Sequence, residues 1–375
     1  VNILFLDQIS LLGGAQRCLL DLLPAVEERG WTARAAIPPG GPLVEILRER
    51  GMRVDEIRCG TYRSSRKYAR DVLQFAADLP RQAAAIPELM EGADLVYVNG
   101  PRLLVGAALA VKRRVPLLFH AHHRVSQGSA RYLERWALRR SGGIVAACCE
   151  AVGQTLRGSV PAECIHVVPN GTEDLGFVER SFEKGRERRV GIIGRIAPEK
   201  GQLELLRAAA HVSGARFVVC GGPLFGDRRY YDDVRRLASG LPVEFLDWQS
   251  DVASVMRNLD VLAMPSKVEG MPRVLLEAFS SGLPVVAFPV DGIPEVIEDR
   301  VTGFLAVDLA KTLREVVEAD PETLRAVARN ARRKWEARYT LPLYRERITD
   351  VMAQCVPRAA LERAVPRQWA GSRRV

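Results

Sequence analysis

Two glutamates, Glu269 and Glu277, bracket the stretch Gly270-Met271-Pro272-Arg273-Val274-Leu275-Leu276. Pro272 suits the first position of a helix, because its ring fixes φ and its missing N–H would have had no partner there. Glu269 then falls in the loop before the helix, and Glu277 lies about 7.5 Å further along the axis than Pro272. The free amides of the first turn and the positive end of the macrodipole favour an anion such as a diphosphate. With that spacing, one carboxylate can accept hydroxyl hydrogens from the sugar of a nucleotide-sugar diphosphate and the other from its ribose. Taken alone, the spacing is more often that of an amphipathic helix with two solvated carboxylates.

Upstream, Val190-Gly191-Ile192-Ile193-Gly194-Arg195-Ile196-Ala197-Pro198-Glu199-Lys200-Gly201 reads as a strand running into a glycine-punctuated loop with two cations. Arg195 offers a planar fork to phosphate and Lys200 a point charge, so together they can neutralise a departing diphosphate without a metal. No Asp-x-Asp triplet occurs in the chain, and no metal site is expected. Gly13-Gly14 follows the first expected strand, where glycine lets backbone approach an anion; an unliganded tight turn explains the pair equally well. His120 ends the run Pro116-Leu117-Leu118-Phe119 and is followed by Ala121-His122-His123. Three of the five histidines therefore gather at one strand end, with no carboxylate at the spacing of a metal cluster.

The elements that must position these residues follow from the pattern of the chain. Its 375 residues are too many for one ordinary core and suit two domains. With 47% hydrophobic and 26% charged residues, disorder is excluded, and no apolar run reaches the length of a spanning helix. The opening Val1-Asn2-Ile3-Leu4-Phe5-Leu6-Asp7 reads as a buried first strand, not a leader, so a cytoplasmic protein is expected. Seven scattered cysteines without a C-x-x-C pair fit reduced thiols. The net charge of +9 is partly local: residues 355–375 hold five Arg against one Glu. That pattern argues for a basic tail and a solvated basic surface, with contact to an anionic membrane left open, and against nucleic acid.

Short β-branched runs alternate with amphipathic stretches, the pattern of βα units and a parallel sheet, and they do so twice. Strands are expected at 1–7, 33–37, 53–57, 95–98, 116–119, 144–147 and 166–168, then at 190–193, 216–220, 243–245, 261–264, 284–287 and 303–305. Residues 173–189, rich in mixed charge, read as an exposed connection. The expected organisation is therefore a first domain over 1–172, a linker over 173–189, a second domain over 190–340, a helix over 341–356 and a tail over 357–375. Two doubly wound sheets facing each other form a central cleft at the carboxyl ends of their strands, where such sheets bind ligands. The segment Tyr62 to Arg70, basic with two tyrosines, reads as a solvated helix start.

The Glu-x7-Glu pair, the Gly-Arg-x4-Lys-Gly stretch at 194–201, Gly13-Gly14 and the His120 strand end together resemble the retaining glycosyltransferases of family four. Val168-Pro169-Asn170-Gly171, Cys220-Gly221-Gly222-Pro223, Gly282-Leu283-Pro284, Gly292-Ile293-Pro294-Glu295 and Thr302-Gly303-Phe304-Leu305 add to the likeness, which covers roughly residues 1–350. The resemblance implies an α/β protein of the GT-B fold, with two Rossmann-like domains. It implies that Arg195 and Lys200 hold the donor diphosphate, that Glu277 holds the ribose, and that Glu269 contacts the donor sugar with the backbone of Gly270 and Met271. Where this chain has Pro272 or Arg273 the family often has glycine. His120 would lie beside the anomeric centre, Gly14 would back the diphosphate, and the base would pack near Trp248-Gln249-Ser250. A last helix, Leu343 to Met352, would cross back to the first domain.

The implied reaction moves a sugar, with UDP-sugar favoured, from a nucleotide donor to a hydroxyl of a small-molecule, glycan or lipid-linked acceptor, retaining anomeric configuration and using no cofactor. The alternatives are a nucleotide-sugar-binding protein without catalysis, or a GT-B phosphorylase or epimerase. A nicotinamide-dependent oxidoreductase shares only the doubly wound sheets, and the missing G-x-G-x-x-G fingerprint counts against it.

Overall fold

The computed structural model describes residues 1–60, 69–110, 115–124, 128–183, 185–223 and 228–364. The chain divides into two compact units: the first runs to Pro169 and takes up the chain again from Pro342, and the second holds Asn170–Leu341. The last helix that the resemblance implies, Leu343 to Met352, falls within this returning segment.

In the first unit seven strands form one parallel sheet: β1 (Asn2–Asp7), β2 (Thr32–Ile37), β3 (Arg53–Glu56), β4 (Leu95–Asn99), β5 (Leu117–Ala121), β6 (Ile144–Ala147) and β7 (Ile165–Val167). Their order is β3-β2-β1-β4-β5-β6-β7. The chain therefore winds outward one way from β1 and the other way from β4, and the carboxyl ends of these two strands form the switch point of the sheet. Asp7 and Asn99 are direct register partners there. Leu4, Leu95, Val96, Val98 and Leu118 are completely buried, as residues of a parallel sheet covered on both faces must be. The helix Gly14–Glu28 buries Cys18, Leu19, Leu22, Leu23 and Val26, the stripe expected from its periodicity. In the helix Leu341–Cys355, Tyr344, Ile348 and Met352 are buried, and Tyr344 donates its hydroxyl to the carbonyl of Cys18 at 3.1 Å.

The second unit repeats the design with six parallel strands: β8 (Arg188–Ile193), β9 (Ala215–Cys220), β10 (Val243–Leu246), β11 (Val261–Met264), β12 (Val285–Ala287) and β13 (Phe304–Leu305). The order β10-β9-β8-β11-β12-β13 puts its switch point between β8 and β11. Its core joins Val190, Phe217, Val219, Val261 and Val286 of the sheet to Leu205, Leu206, Leu313 and Val316 of covering helices.

The charged stretch 173–189 is mostly exposed, as its composition suggests, but not throughout. Phe182 is buried in the core of the second unit, and Arg180 is only 7% exposed. The Arg180 guanidinium donates to the carbonyls of Leu259 (2.9 Å), Met256 (2.8 Å), Val178 (3.2 Å), Ser281 (3.0 Å) and Gly282 (2.7 Å). Charge in a sequence signals solvent only when no set of carbonyls is folded around it. Of the basic segment Tyr62 to Arg70, residues 62–68 lie outside the described residues, as does the tail beyond 364; the helix there runs from Ala69 to Leu89.

Candidate functional site

At the switch point of the second sheet the chain leaves β8 through Gly194, whose φ of 140° suits glycine and whose open side meets no atom within 4 Å. The loop is held from below: Gly194 donates to the Cys220 carbonyl and Ile196 to that of Gly222, each at 2.9 Å. Gln202 clamps it from the side, accepting from the Ala197 amide at 3.3 Å and donating to the Arg195 carbonyl at 2.9 Å. Gly201, at φ 77°, passes so close to Pro265 that a Cβ would stand 2.0 Å from its carbonyl oxygen. A side chain here would push the β8 loop off the β11 loop.

That close approach brings the two loops' charges together. Lys200 Nζ lies 2.6 Å from Glu269 Oε1, with the carboxylate side chain 9% exposed and the lysine 27%. Arg195 pairs with Glu199 at 2.6 Å. The two expected phosphate ligands are therefore engaged by carboxylates, so their charge is balanced within the loop pair. The Glu269 amide donates to Asp291 Oδ2 at 2.9 Å, and Asp291 itself sits at φ 46°. Lys267 donates its amide to the Glu199 carbonyl at 2.8 Å, which ties the loops once more.

The helix after Glu269 spans Arg273–Ser280, and Pro272 is its N-cap with extended backbone (ψ 124°), one residue earlier than the helical position expected of it. The residue after the cap is Arg273, which donates from Nη1 to the Gly171 carbonyl at 3.0 Å and approaches Glu277 at 3.9 Å. Glu277 is thus held beside a guanidinium, one turn into the helix. Asn170 donates its amide to the Met271 carbonyl at 2.8 Å, fixing the backbone between the two glutamates, and Gly270 and Met271 are buried. Trp248, in the loop after β10, leaves 49% of its surface exposed, a flat apolar face at the carboxyl edge of the sheet.

In the first unit Gly13 caps the helix that begins with Gly14, and its amide donates to Gln16 Oε1 at 3.2 Å. Gln16 in turn donates Nε2 to both oxygens of Asp7, at 2.9 and 3.1 Å. Asp7 also accepts from the Ile9 amide at 3.0 Å and from Asn99 Nδ2 at 2.6 Å. Burial nevertheless pushes its carboxyl up to about 6, against the pull of these donors. Asn99 Oδ1 meets His122 Nε2 at 2.6 Å.

His120, the expected strand-end imidazole, lies inside the sheet. It is 1% exposed, its Nδ1 bonds to the Tyr97 hydroxyl, and its buried Nε2 has no hydrogen-bond partner. Burial pushes its pKa down to about 3, so the ring is neutral. Two residues on, past the end of β5, His122 is half-buried, with its ring centroid 3.8 Å from that of His120. The alternation of strand residues does not distinguish the two, because the strand ends between them.

Of the residues expected from sequence, Lys200 and Glu269 come into direct contact, with Arg195 on the same loop, and Glu277 stands further along the helix they flank. Asp7, Asn99, Gln16 and Glu199 have no role in the sequence reading, where His122 enters only as a member of the histidine cluster and Arg273 only as a departure from glycine. Asp7 and Asn99 offered one readable signal, each being the polar last residue after an apolar run, Ile3–Leu6 and Leu95–Val98.

Both units of the chain are similar to known proteins. Residues 12–174 match the family described as Glycosyltransferase Family 4, and residues 187–319 match Glycosyl transferases group 1. The chain is 29% identical over 280 residues to the sulfoquinovosyl transferase SQD2 of Arabidopsis thaliana, covering 65% of this chain and 53% of that protein. It is 38% identical over 154 residues to the D-inositol 3-phosphate glycosyltransferase of Mycolicibacterium smegmatis, covering 38% of this chain and 36% of the relative. These matches span about half, or less, of the relatives' lengths. Among solved structures, Anabaena HepE in complex with UDP is 25% identical with a TM-score of 0.79, over 94% of this chain and 100% of that one. The same Anabaena protein has also been solved with UDP-glucose.

Proposed function

We propose, from the premise that this chain belongs to glycosyltransferase family four and has the GT-B fold, that it moves a sugar from a UDP-sugar to a hydroxyl acceptor with retention of configuration. The observation that carries the reading is the pairing of the β8 and β11 loops at the switch point of the second sheet, which gathers Arg195, Lys200 and Glu269 at a helix start. The binding of UDP and UDP-glucose by the Anabaena relative supports the choice of donor.

In this reading the diphosphate meets Arg195, Lys200 and the open side of Gly194, drawing the two cations away from Glu199 and Glu269. Released from the ammonium, Glu269 accepts hydroxyl hydrogens of the sugar, while Glu277 does the same for the ribose. Trp248 offers its face to the base. The acceptor oxygen forms the new bond to the anomeric carbon on the face from which the phosphate oxygen departs. The acceptor's proton passes to that departing oxygen, so no protein nucleophile is required. Catalysis comes from positioning and from the positive field on the leaving diphosphate. The buried His120 would reach substrate only if its strand end opened, so we assign the substrate-facing imidazole to His122. The protein is expected to act in the cytoplasm, at or near a membrane surface if its acceptor is a lipid; none of the helices among the described residues is long and apolar enough to cross a membrane.

A calorimetric screen of nucleoside diphosphate sugars, followed by turnover assays on the binders, tests the proposal. Saturable binding of a UDP-sugar that is competed by UDP is the expected result. Binding of no nucleotide sugar by the folded protein would overturn it.

A further inference from the structure

The first unit contains a polar chain that ends at His122. It crosses three adjacent strands: Asp7 ends β1, Asn99 ends β4, and His122 follows β5. The direction of each hydrogen bond can be worked out from one fixed point. The Ala15 carbonyl can only accept, and Asn99 Nδ2 lies 3.3 Å from it and 2.6 Å from Asp7 Oδ2. The amide nitrogen of Asn99 therefore faces these two acceptors, and its oxygen faces His122. An amide oxygen has no proton to give, so the 2.6 Å contact requires His122 Nε2 to be the donor. The main chain on either side is held as well: the Cys148 thiol lies 3.2 Å from the His122 carbonyl, and the Cys148 amide donates to the Ala121 carbonyl at 3.1 Å.

We infer that Asp7 and Asn99 are positioning residues that lock His122 in its Nε2–H form. The same carboxylate holds Gln16, and through it the amide of Gly13, so one buried acid sets both the imidazole and the glycine turn. This role rests on the glycosyl-transfer reading for its substrate, but the tautomer does not. A neutral imidazole without such a partner distributes its proton over both nitrogens; a donor–acceptor chain with a single consistent direction selects one.

The test is nitrogen-15 NMR of the full-length protein labelled at histidine, at about pH 9, where an ordinary imidazole is neutral. The His122 signals are assigned by their loss in His122→Gln. A protonated Nε2 and a bare Nδ1 are expected in the wild type. A protonated Nδ1, or rapid averaging over both forms, would overturn the inference whether or not any variant folds. Asn99→Ala should abolish the bias and lower kcat by about 10- to 100-fold while the donor KM stays within about twofold. An unchanged tautomer in Asn99→Ala would also overturn it. If the tautomer is as expected but no sugar is transferred, the functional reading fails and the relay stands.

Discussion

Arg195 and Lys200 each rest on a carboxylate in the unliganded chain, so a diphosphate must compete with Glu199 and Glu269 for them. Arg195→Ala should weaken UDP binding by about 1.5–3 kcal/mol, the scale of a lost charge-assisted hydrogen bond, as read by titration calorimetry. The glutamates should then fail in opposite ways. Glu277→Ala should lose UDP affinity, whereas Glu269→Gln frees the Lys200 ammonium and should keep that affinity or tighten it by up to about threefold, with turnover lowered at least about tenfold. Equal losses of UDP affinity in both variants would contradict the division of roles. The types of these residues were legible in sequence because a loop, a proline and a helix start constrain their neighbours locally. Their partners were not, since Lys200 meets Glu269 and Asp7 meets Asn99 across long stretches of chain. Only the sheet order joins them.

The thirteen strands of the described residues could be read from sequence, each to within about two residues at either end; the central ones are continuous apolar runs covered on both faces, and the half-exposed edge strands such as β3 and β10 were legible from their place in the βα alternation. What composition concealed was the inside of polar segments. Arg180 sits in a stretch that reads as solvated, yet it closes five carbonyls, and burial pushes its pKa down to about 10. Arg180→Ala should therefore cost about 3 kcal/mol or more of stability by denaturant unfolding. A loss under about 1 kcal/mol would mean that water replaces the guanidinium. Glu134, 3% exposed on the helix Ser129–Ser141, is a second case: burial pushes its carboxyl up to about 8, against the pull of Arg131 and Arg135. Between the ordinary glutamate value and about 8 the native state holds a proton that the unfolded chain has released. Stability from this group is thus complete at low pH and is lost as pH rises through about 8. Glu134→Gln should gain on the wild type by ~2 kcal/mol more at pH ~9 than at pH ~4.5. A pH-independent difference between the two proteins would contradict the buried-acid reading.

At the scale of the whole molecule, two sheets of the same winding carry different chemistry at equivalent places. The second sheet sets ion-paired charges at its switch point, and the first sets a neutral-to-acidic polar chain ending in an imidazole. The chain returns to the first unit at Pro342, where the helix Leu341–Cys355 places Tyr344 on the Cys18 carbonyl and Asp350 against Arg29 at 2.5 Å. In the account proposed here the leaving diphosphate is neutralised by Arg195, Lys200 and backbone amides, and the acceptor attacks on the face that the phosphate leaves. Both statements are tested by one measurement, proton NMR of the anomeric signal in the glycoside formed from UDP-glucose and a panel of hydroxyl acceptors in excess chelator. The account predicts turnover under chelation and an α-linked product. Activity restored only by manganese or magnesium, or a β-linked product, would contradict it.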